Sequence, residues 1–345
     1  MAAPSASDEP PTPAPSRGAR WRRRAISTAI ALVLLEVGLR LFVMGNFGQS
    51  RVLQRSDNPD VCLELRPGLE IDYTGWLLKV PPSHISINDQ GIRGPSYAPE
   101  PADGVLRIAA LGDSFTFGQG VEIEQAFPSV MARELAGKGV PTEVLNFGVP
   151  GHATPQEVAL VKDRVADVKP DLVLIHVFAN DMTSEESNCE YGKGGNEATA
   201  FLLRDCYVCR LAFIGSQVVK TIAGGAVETS SPTPGERFVS SLRELKSLGD
   251  ARGFRVAVVL LTDRDMYIDS HLCRGCEVPH DLVGQTGLHV IDMSPVWKTL
   301  QLDIPRNFIP GEDHLSVAGN ELMGRSLGGA LASWNLALPP RSVRE

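Results

Sequence analysis

Short apolar runs alternate with longer stretches of helical spacing through the middle and the end of this chain of 345 residues. Short apolar runs bounded by turn signals are typical of buried strands. We expect strands at 107–111, 143–146, 171–177, 255–261 and 289–291, and helices at 126–137, 155–168, 237–252 and 317–332. Because strands and helices alternate, the pattern predicts an α/β fold, a three-layer α/β/α sandwich with a parallel sheet. With 43% hydrophobic residues, the chain can bury one such core and carry an appendage.

The first predicted strand of the sheet runs directly into a candidate nucleophile. The apolar residues 107–111 are followed by Gly112, Asp113 and Ser114, and then by a helix-like stretch. A strand that closes on glycine before a helix places the serine hydroxyl at the carboxyl edge of a parallel sheet, where ligands bind. Serine is a weak nucleophile by itself, so the chain must also supply a base and donors for an oxyanion.

The candidate base is His314, which follows Glu312 and Asp313 in a loop just before the last predicted helix. A loop histidine at that position can reach the same sheet edge and take the serine proton. The two acids before it are candidates for the group that orients its ring.

Two residues after predicted strands are candidate oxyanion donors. The Gly148 N–H has no side chain beside it and can face the site, and Asn180 offers a side-chain amide. Each signal also has a purely structural reading: Gly148 as a hinge, Asn180 and Asp181 as a helix cap, and Gly-Asp-Ser as a turn. The conjunction of these signals at strand ends and before the last helix favours an enzyme.

Together these segments resemble the SGNH (GDSL-like) hydrolases. Gly112-Asp113-Ser114 matches the nucleophile block of that family, Gly148 the glycine block, Asn180-Asp181 the asparagine block and His314 the histidine block. The resemblance covers roughly residues 104–333 and implies a flavodoxin-like hydrolase fold and a serine esterase without cofactor. The family usually has an aspartate two or three residues before the histidine. Here Glu312 and Gly311 occupy those positions.

The triad acid is therefore open between two residues: Glu312 is favoured by position, and Asp313 is the alternative. In the expected mechanism His314 deprotonates Ser114, which attacks an ester carbonyl. The N–H groups of Ser114 and Gly148 and the Asn180 amide then hold the oxyanion. Water as acceptor makes the protein an esterase, and a sugar hydroxyl makes it an O-acyltransferase acting on a cell-surface polysaccharide. A catalytically inactive anchored scaffold or binding protein is the third possibility, favoured by the missing aspartate.

The N-terminal residues predict a location. Residues 1–24 form a disordered tail that ends in a basic cluster, and residues 25–44 are apolar and long enough for a transmembrane signal anchor. The basic flank predicts that the tail is cytoplasmic and that the catalytic domain is extracytoplasmic, in the periplasm or outside the cell. Glu36 and Arg40 interrupt the span but are four residues apart and can pair. A cleaved signal peptide and a cytosolic amphipathic helix are the second and third readings.

The rest of the chain divides into a connecting segment at 45–103 and an SGNH hydrolase-like domain at 104–335, with an insertion at about 183–233. The insertion is rich in glycine, serine, cysteine and charged residues and is expected to lie over the site, where it would set specificity. Within the connecting segment, residues 88–94 resemble a segment that precedes the nucleophile strand in membrane-tethered members of the family.

The chain has an even number of cysteines, which in an exported protein favours disulfides. They are Cys62, Cys189, Cys206, Cys209, Cys273 and Cys276. The last four form two CxxC pairs, for which a structural zinc site is the alternative reading. The pairs are much farther apart than in a compact zinc ribbon, so we favour disulfides that join the insertion to the core.

A formal net charge of −8, with no basic patch beyond the first 24 residues, argues against a nucleic-acid partner. No phosphate-binding glycine loop is present, and the mechanism needs no metal at the active site. The expected partners are a small molecule, lipid or glycan that carries an ester, and the membrane.

Overall fold

The computed structural model describes residues 17–38, 52–75, 80–178, 181, 208, 233–261, 265–268, 271–274, 280–310 and 314–334. The strands of these residues are β1 Leu53–Arg55, β2 Leu63–Leu65, β3 Glu70–Gly75, β4 Val80–Ser86, β5 Leu106–Gly112, β6 Thr142–Gly148, β7 Leu172–Val177, β8 Arg255–Leu260, β9 Asp265–Ile268, β10 His271–Arg274 and β11 His289–Asp292. The α-helices are α1 Arg17–Gly38, α2 Ser114–Phe117, α3 Phe127–Gly137, α4 Thr154–Asp163, α5 Pro234–Arg252, α6 His280–Gly284, α7 Ser294–Gln301, α8 Ile304–Asn307 and α9 Val317–Ser333. Two short 3₁₀ turns lie at Ile123–Gln125 and Val165–Val168.

A five-stranded sheet with the order β11-β8-β7-β5-β6 forms the centre of the molecule, and all of its strand pairs are parallel. Each strand corresponds to one of the five predicted from the apolar runs. The α/β fold with a parallel sheet flanked by helices is therefore confirmed. Strand β5 lies between β6 and β7, so the residues that follow these three strands meet at one edge of the sheet.

The strands are apolar at nearly every position because both faces of the sheet are covered by helices. In β5, Leu106 and Ile108 pack into one core with α3, α7 and α9. Ala109 and Leu111 point to the opposite face and pack into a second core with α4 and α5. The period of two along the strand thus assigns alternate residues to the two layers.

Helices α3 and α9 lie close together because α9 has glycines where the two meet. A Cβ atom on Gly324 would lie 2.5 Å from Val130 Cβ, and one on Gly328 would lie 2.8 Å from Glu134 Cβ. Any larger residue at these two positions would separate the helices. This contact fixes the start of α9, where the candidate base is located.

The region expected to be a connecting segment contains two antiparallel hairpins, β1 with β2 and β3 with β4. Several of its residues are buried in the core on the α4 side of the sheet: Val52, Val61, Leu65, Ile85, Ile87 and Ile92. This segment is therefore part of the hydrophobic core of the domain and is not only a connection to the central sheet. A third hairpin is formed by β9 and β10.

The predicted membrane anchor begins within helix α1. Among the residues that the structure describes, no helix is long and apolar enough to cross a membrane. Residues 39–44 of the predicted span lie outside the described residues, as does most of the predicted insertion at 183–233. Cys62 is buried and disulfide-bonded. The pairing of the six cysteines stays a prediction.

Candidate active site

The nucleophile candidate begins a single helical turn at the carboxyl end of β5. Ser114 is the first residue of α2, and its side chain is buried. Asp113 precedes it as the N-cap, and its Oδ1 accepts a hydrogen bond of 2.9 Å from the Phe115 N–H. Gly112 has a φ of +153°, and a Cβ atom there would lie 2.1 Å from Thr116 Oγ1. The sharp turn from strand to helix therefore needs glycine before the serine.

The candidate base is in contact with this serine. The Nε2 atom of His314 lies 2.8 Å from Ser114 Oγ, which is hydrogen-bonding distance. The imidazole also packs against the Phe115 ring, with 5.1 Å between the ring centroids. The structure thus brings together the two residues that the sequence assigned to nucleophile and base, and proton transfer between them needs no rearrangement.

A buried asparagine in α9 holds the histidine loop against the rest of the domain. Asn320 Oδ1 accepts the Phe127 N–H at 2.9 Å, and its Nδ2 donates to the carbonyls of Leu315 and Ser316 at 2.9 and 3.0 Å. Phe127 is the first residue of α3, whereas Leu315 and Ser316 directly follow His314. Asn320 therefore links the position of the base to a helix of the core.

Gly148 lies at the end of β6 opposite Gly112 and contacts the nucleophile turn. A Cβ atom at this position would lie 2.3 Å from the Phe117 nitrogen, so only glycine fits. We expected the Gly148 N–H to face the site, but it donates to Asn146 Oδ1 at 3.0 Å, and Asn146 Nδ2 in turn donates to the Thr116 carbonyl at 2.8 Å. In this arrangement Gly148 serves the site by close packing, and its part in binding an oxyanion stays a prediction.

Three predicted site residues, Asn180, Glu312 and Asp313, lie outside the described residues. Asp181, which follows Asn180 in the chain, is described and is a buried carboxylate. Asp181 accepts hydrogen bonds from the N–H of Phe178 at 2.6 Å, and from the N–H and hydroxyl of Thr154 at 2.6 and 2.9 Å. These bonds attach the end of β7 to the start of α4.

Asp181 belongs to a buried acidic group that the sequence did not reveal. Burial raises the pKa of Asp181, and the charge of Asp113 raises it further. Burial, followed by the charges of Asp181 and Asp113, holds the pKa of Glu157 well above its ordinary range. Neither carboxyl oxygen of Glu157 has a hydrogen-bond partner among the described residues. Its burial therefore favours the protonated, neutral form of Glu157.

A second buried polar residue lies behind the nucleophile turn. His176 Nδ1 is 2.8 Å from the Leu111 carbonyl and 3.1 Å from Thr116 Oγ1. Burial lowers the pKa of His176 to about 4, so its ring is neutral. A histidine within an otherwise apolar strand was the only sequence signal for this contact.

Aromatic side chains surround the Ser114–His314 pair on the α7 side. The Phe115 ring lies 4.2 Å from that of Phe178 and 5.9 Å from that of Trp297, and Trp297 also contacts Phe308 at 5.5 Å. This cluster gives the imidazole an apolar, rigid support. Within the described ranges, no group of three or more His, Cys, Asp or Glu side chains is arranged to hold a metal ion.

Comparison with known proteins gives a family match over the same region. The sequence model of the GDSL-like Lipase/Acylhydrolase family matches residues 110–322, a range that includes Ser114 and His314. A curated arylesterase from Vibrio mimicus is 33% identical over 75 residues, which cover 22% of this chain. The match spans only 38% of the length of that relative.

Solved structures with a similar arrangement include an acetyl xylan esterase, with a TM-score of 0.41 and 16% identity over 66% of this chain and 100% of the other. The lipase/acylhydrolase from Enterococcus faecalis has a TM-score of 0.40 and 19% identity over 66% of this chain and 96% of the other.

Proposed function

The chain belongs to the GDSL-like lipase/acylhydrolase family, and we propose that it is a serine esterase that cleaves carboxylic esters through an acyl-enzyme. The observation that carries this proposal is the 2.8 Å contact between His314 Nε2 and Ser114 Oγ. A histidine at this distance activates a serine that would otherwise be a weak nucleophile.

In the proposed reaction, His314 takes the proton of Ser114 as the serine oxygen attacks the ester carbonyl. The negative charge that develops on the carbonyl oxygen needs donors that are already in place. The Ser114 N–H has no acceptor among the described residues and is our first candidate. The Asn180 amide is the second candidate donor. The Gly148 N–H already donates to Asn146 Oδ1, so it contributes only if it donates to the oxyanion at the same time.

The protonated His314 then gives its proton to the leaving alcohol, and an acyl-serine remains. Water, deprotonated by the same histidine, attacks this ester. The bond between the acyl carbon and Ser114 Oγ then breaks, His314 returns the proton to Ser114 Oγ, and the carboxylic acid is released. Glu312 is our candidate for the acid that orients His314, and Asp313 is the alternative. The proposed substrate is an ester carried by a small molecule, a lipid or a glycan.

O-acyl transfer is the second candidate, because the apolar cluster beside the site supports it. Phe115 packs against both Phe178 and His314, so one side of the Ser114–His314 pair is apolar. An acyl-serine that is shielded from water survives long enough for a sugar hydroxyl to attack it. The inactive scaffold is the weakest candidate, because an idle serine and histidine have no need to remain at hydrogen-bonding distance.

The acceptor can be identified by incubating the full chain in detergent with an activated acyl ester, with and without an oligosaccharide. We expect free acid in both reactions and little acylated sugar, and none of either product with Ser114→Ala. Acylated oligosaccharide as the main product would instead establish the transferase.

We further propose that the N-terminal segment anchors the protein and that the catalytic domain is extracytoplasmic. Helix α1 supports this because many of its large apolar side chains are exposed: Trp21, Ile26, Ile30, Leu32, Val33, Leu34, Leu35 and Val37. A lipid environment would cover them. Extraction of cell membranes with alkaline carbonate should leave the full chain in the membrane fraction and release a variant without residues 1–44. Release of both would exclude an anchor.

A further inference from the structure

Residues 88–94 form a turn that is fixed largely by hydrogen bonds of Asn88. Asn88 Oδ1 accepts the N–H groups of Gln90 and Ile92 at 2.9 and 3.2 Å, and its Nδ2 donates to the Pro95 carbonyl at 2.9 Å. Gly91 has a φ of +72°, and its N–H donates to the Asn88 carbonyl at 2.9 Å. An asparagine that bonds to the following backbone is a local device for setting a turn. The turn therefore sets the direction of the side chain two residues after Gly91.

That side chain is Arg93, which is buried and reaches the far end of the nucleophile turn. Its Nη1 donates to the carbonyls of Phe117 and Gly118 at 2.5 and 2.6 Å, and its Nη2 donates to the Val121 carbonyl at 2.6 Å. Phe117 ends α2, which begins at Ser114, and Gly118 is its C-cap. One guanidinium therefore satisfies the carbonyls at the end of this helix and in the loop after it.

The backbone of Arg93 also contacts the next strand of the sheet. Arg93 forms an antiparallel bridge with Asn146, the same residue whose Nδ2 donates to the Thr116 carbonyl. The carbonyls of three consecutive residues, Thr116, Phe117 and Gly118, are thus held by two neighbouring side chains. Little freedom remains for the turn that carries Ser114.

The electrostatic environment keeps the Arg93 guanidinium charged. Burial lowers the pKa of Arg93 to about 10, and the negative charges of Glu122 and Glu124 oppose this change. The group is therefore positive at neutral pH. Within the described part of the chain no carboxylate lies within 4.0 Å of it, so carbonyl dipoles are its direct partners. Hydrogen bonds from a charged donor are stronger than those between neutral groups, and a cation is favoured at the C-terminal end of a helix.

We infer that Arg93 is a positioning residue, which holds the nucleophile turn so that Ser114 Oγ stays aligned with His314. The inference rests on the proposed function, because alignment matters only if Ser114 is the nucleophile. Small displacements of a reacting group have large effects on rate. Loss of Arg93 therefore lowers kcat more than it lowers substrate binding.

The chain provides a matched control for this inference in Arg107. Its side chain is also fully buried, and it donates to the carbonyls of Ala98 and Val168 at 2.7 Å and to Glu143 at 2.7 Å. Arg107 lies near the start of β5, at the edge of the sheet opposite to Ser114. If a buried arginine only stabilises the fold, replacing Arg93 or replacing Arg107 should change kcat to a similar degree.

The experiment compares Arg93→Ala and Arg107→Ala in the full chain, with ester hydrolysis and hydrogen exchange of the amides at 114–121 as readouts. For Arg93→Ala we expect kcat to fall about a hundredfold, KM to change less than about threefold and the amides at 114–121 to exchange at least about tenfold faster. Millimolar methylguanidinium should restore part of the lost kcat. Arg107→Ala should keep its kcat and its exchange at 114–121 in the folded protein, and methylguanidinium should not change its rate.

Equal kcat in the two variants, or unchanged exchange at 114–121 in Arg93→Ala, would overturn the inference. If Arg93→Ala does not fold, Arg93→Lys replaces it. Lysine keeps the positive charge but lacks the planar guanidinium that donates several hydrogen bonds at once. We therefore expect Arg93→Lys to have a kcat below that of the parent but by less than about a hundredfold. A kcat equal to that of the parent would overturn the inference. If the parent protein hydrolyses no ester but the amides at 114–121 exchange faster in the Arg93 variant, the proposed function is refuted. The same result would still show that Arg93 holds the nucleophile turn in place.

Discussion

The His314 imidazole contacts the Ser114 hydroxyl at 2.8 Å although the two residues are 200 positions apart in the chain. The topology of the sheet explains the contact. Strand β5 lies inside the sheet and delivers Ser114 to its carboxyl edge, whereas α9 packs on α3 beside β6 and delivers the loop before it to the same edge. Interactions that fix the two ends of this contact should therefore control the rate of the enzyme.

We predict that Asn320→Ala lowers both stability and activity. The substitution leaves the Phe127 N–H without its acceptor and the Leu315 carbonyl without its donor, which costs about 1–3 kcal/mol in the free energy of unfolding. Because the loop carrying His314 loses its attachment to α3, kcat should fall more than about tenfold. Urea unfolding and ester hydrolysis measure the two effects.

The half-buried neighbour Glu321 provides the control, because its side chain pairs with Arg325 at the surface of α9. Surface ion pairs contribute little, so Glu321→Ala should resemble the parent in both measurements. A destabilised Asn320→Ala that hydrolyses esters at the parental rate would show that Asn320 only supports the fold.

We predict that Gly148→Ala disrupts the nucleophile turn. The new Cβ atom would lie 2.3 Å from the Phe117 nitrogen, so the backbone of α2 or β6 must move. Strain of this kind in a packed region costs about 1–3 kcal/mol, and it should reduce the rate at which a fluorophosphonate labels Ser114. Gly137→Ala is the control, because nothing lies within 4 Å of a Cβ atom at that position. Equal labelling rates in the two variants would contradict the packing argument.

We predict that Asn180→Ala lowers kcat by about a hundredfold to a thousandfold while KM changes little, because a donor to an oxyanion acts mainly in the transition state. Asn307→Ala is the comparison, since Asn307 is a buried asparagine whose Nδ2 donates to the Leu300 carbonyl. That variant should lose stability and keep its kcat. Unchanged turnover in Asn180→Ala would remove this residue from the mechanism.

The buried Glu157 predicts a specific dependence of stability on pH. Its pKa is raised in the folded state, so the folded protein binds the proton more tightly than the unfolded chain does. As the pH rises above the unfolded value, about 4.3, the unfolded chain loses this proton first. The contribution of Glu157 to the free energy of unfolding therefore falls with rising pH until the folded pKa is passed.

Glu157→Gln removes this titration while keeping the shape of the side chain. We expect the difference in free energy of unfolding, variant minus parent, to increase as the pH rises above the unfolded value of about 4.3. Urea unfolding at several pH values measures it, with Glu100→Gln on the exposed surface as the control. A difference that stays constant with pH would mean that Glu157 is ionised in the folded protein.

The sequence predicted the parts of the fold that depend on local pattern. The five central strands are continuous apolar runs, and four of the main helices have regular apolar spacing, so they were recognisable from the residues alone. Ser114 and His314 were recognisable because each follows a characteristic local signal, a strand closed by Gly112 and a loop before the last helix.

The hairpins before the sheet were missed because β1 and β2 have three residues each and because β3 and β4 contain no continuous apolar run. Strand β3, for example, alternates charged and apolar residues and is partly exposed, so no apolar run marks it. The functions of Arg93 and Asn320 were missed for another reason. Each depends on contacts with residues distant in the chain, Phe117 for Arg93 and Phe127 for Asn320, and sequence pattern carries no record of such pairs.

The expected orientation of the Gly148 N–H differed from the structure for a similar reason. Glycine has no side chain to cover its N–H, but the amide oxygen of Asn146, two residues before Gly148, accepts this N–H. A short polar side chain at the end of a buried strand competes for neighbouring backbone groups.

The most direct test of the central claim is hydrolysis of short- and medium-chain p-nitrophenyl esters by the full chain, beside Ser114→Ala and His314→Ala. We predict that the parent hydrolyses these esters, that both variants lose at least about a thousandfold in kcat, and that a fluorophosphonate labels the parent on Ser114. Hydrolysis that persists in either folded variant, or a folded parent that neither hydrolyses esters nor reacts with the fluorophosphonate, would contradict the assignment of Ser114 and His314 as nucleophile and base.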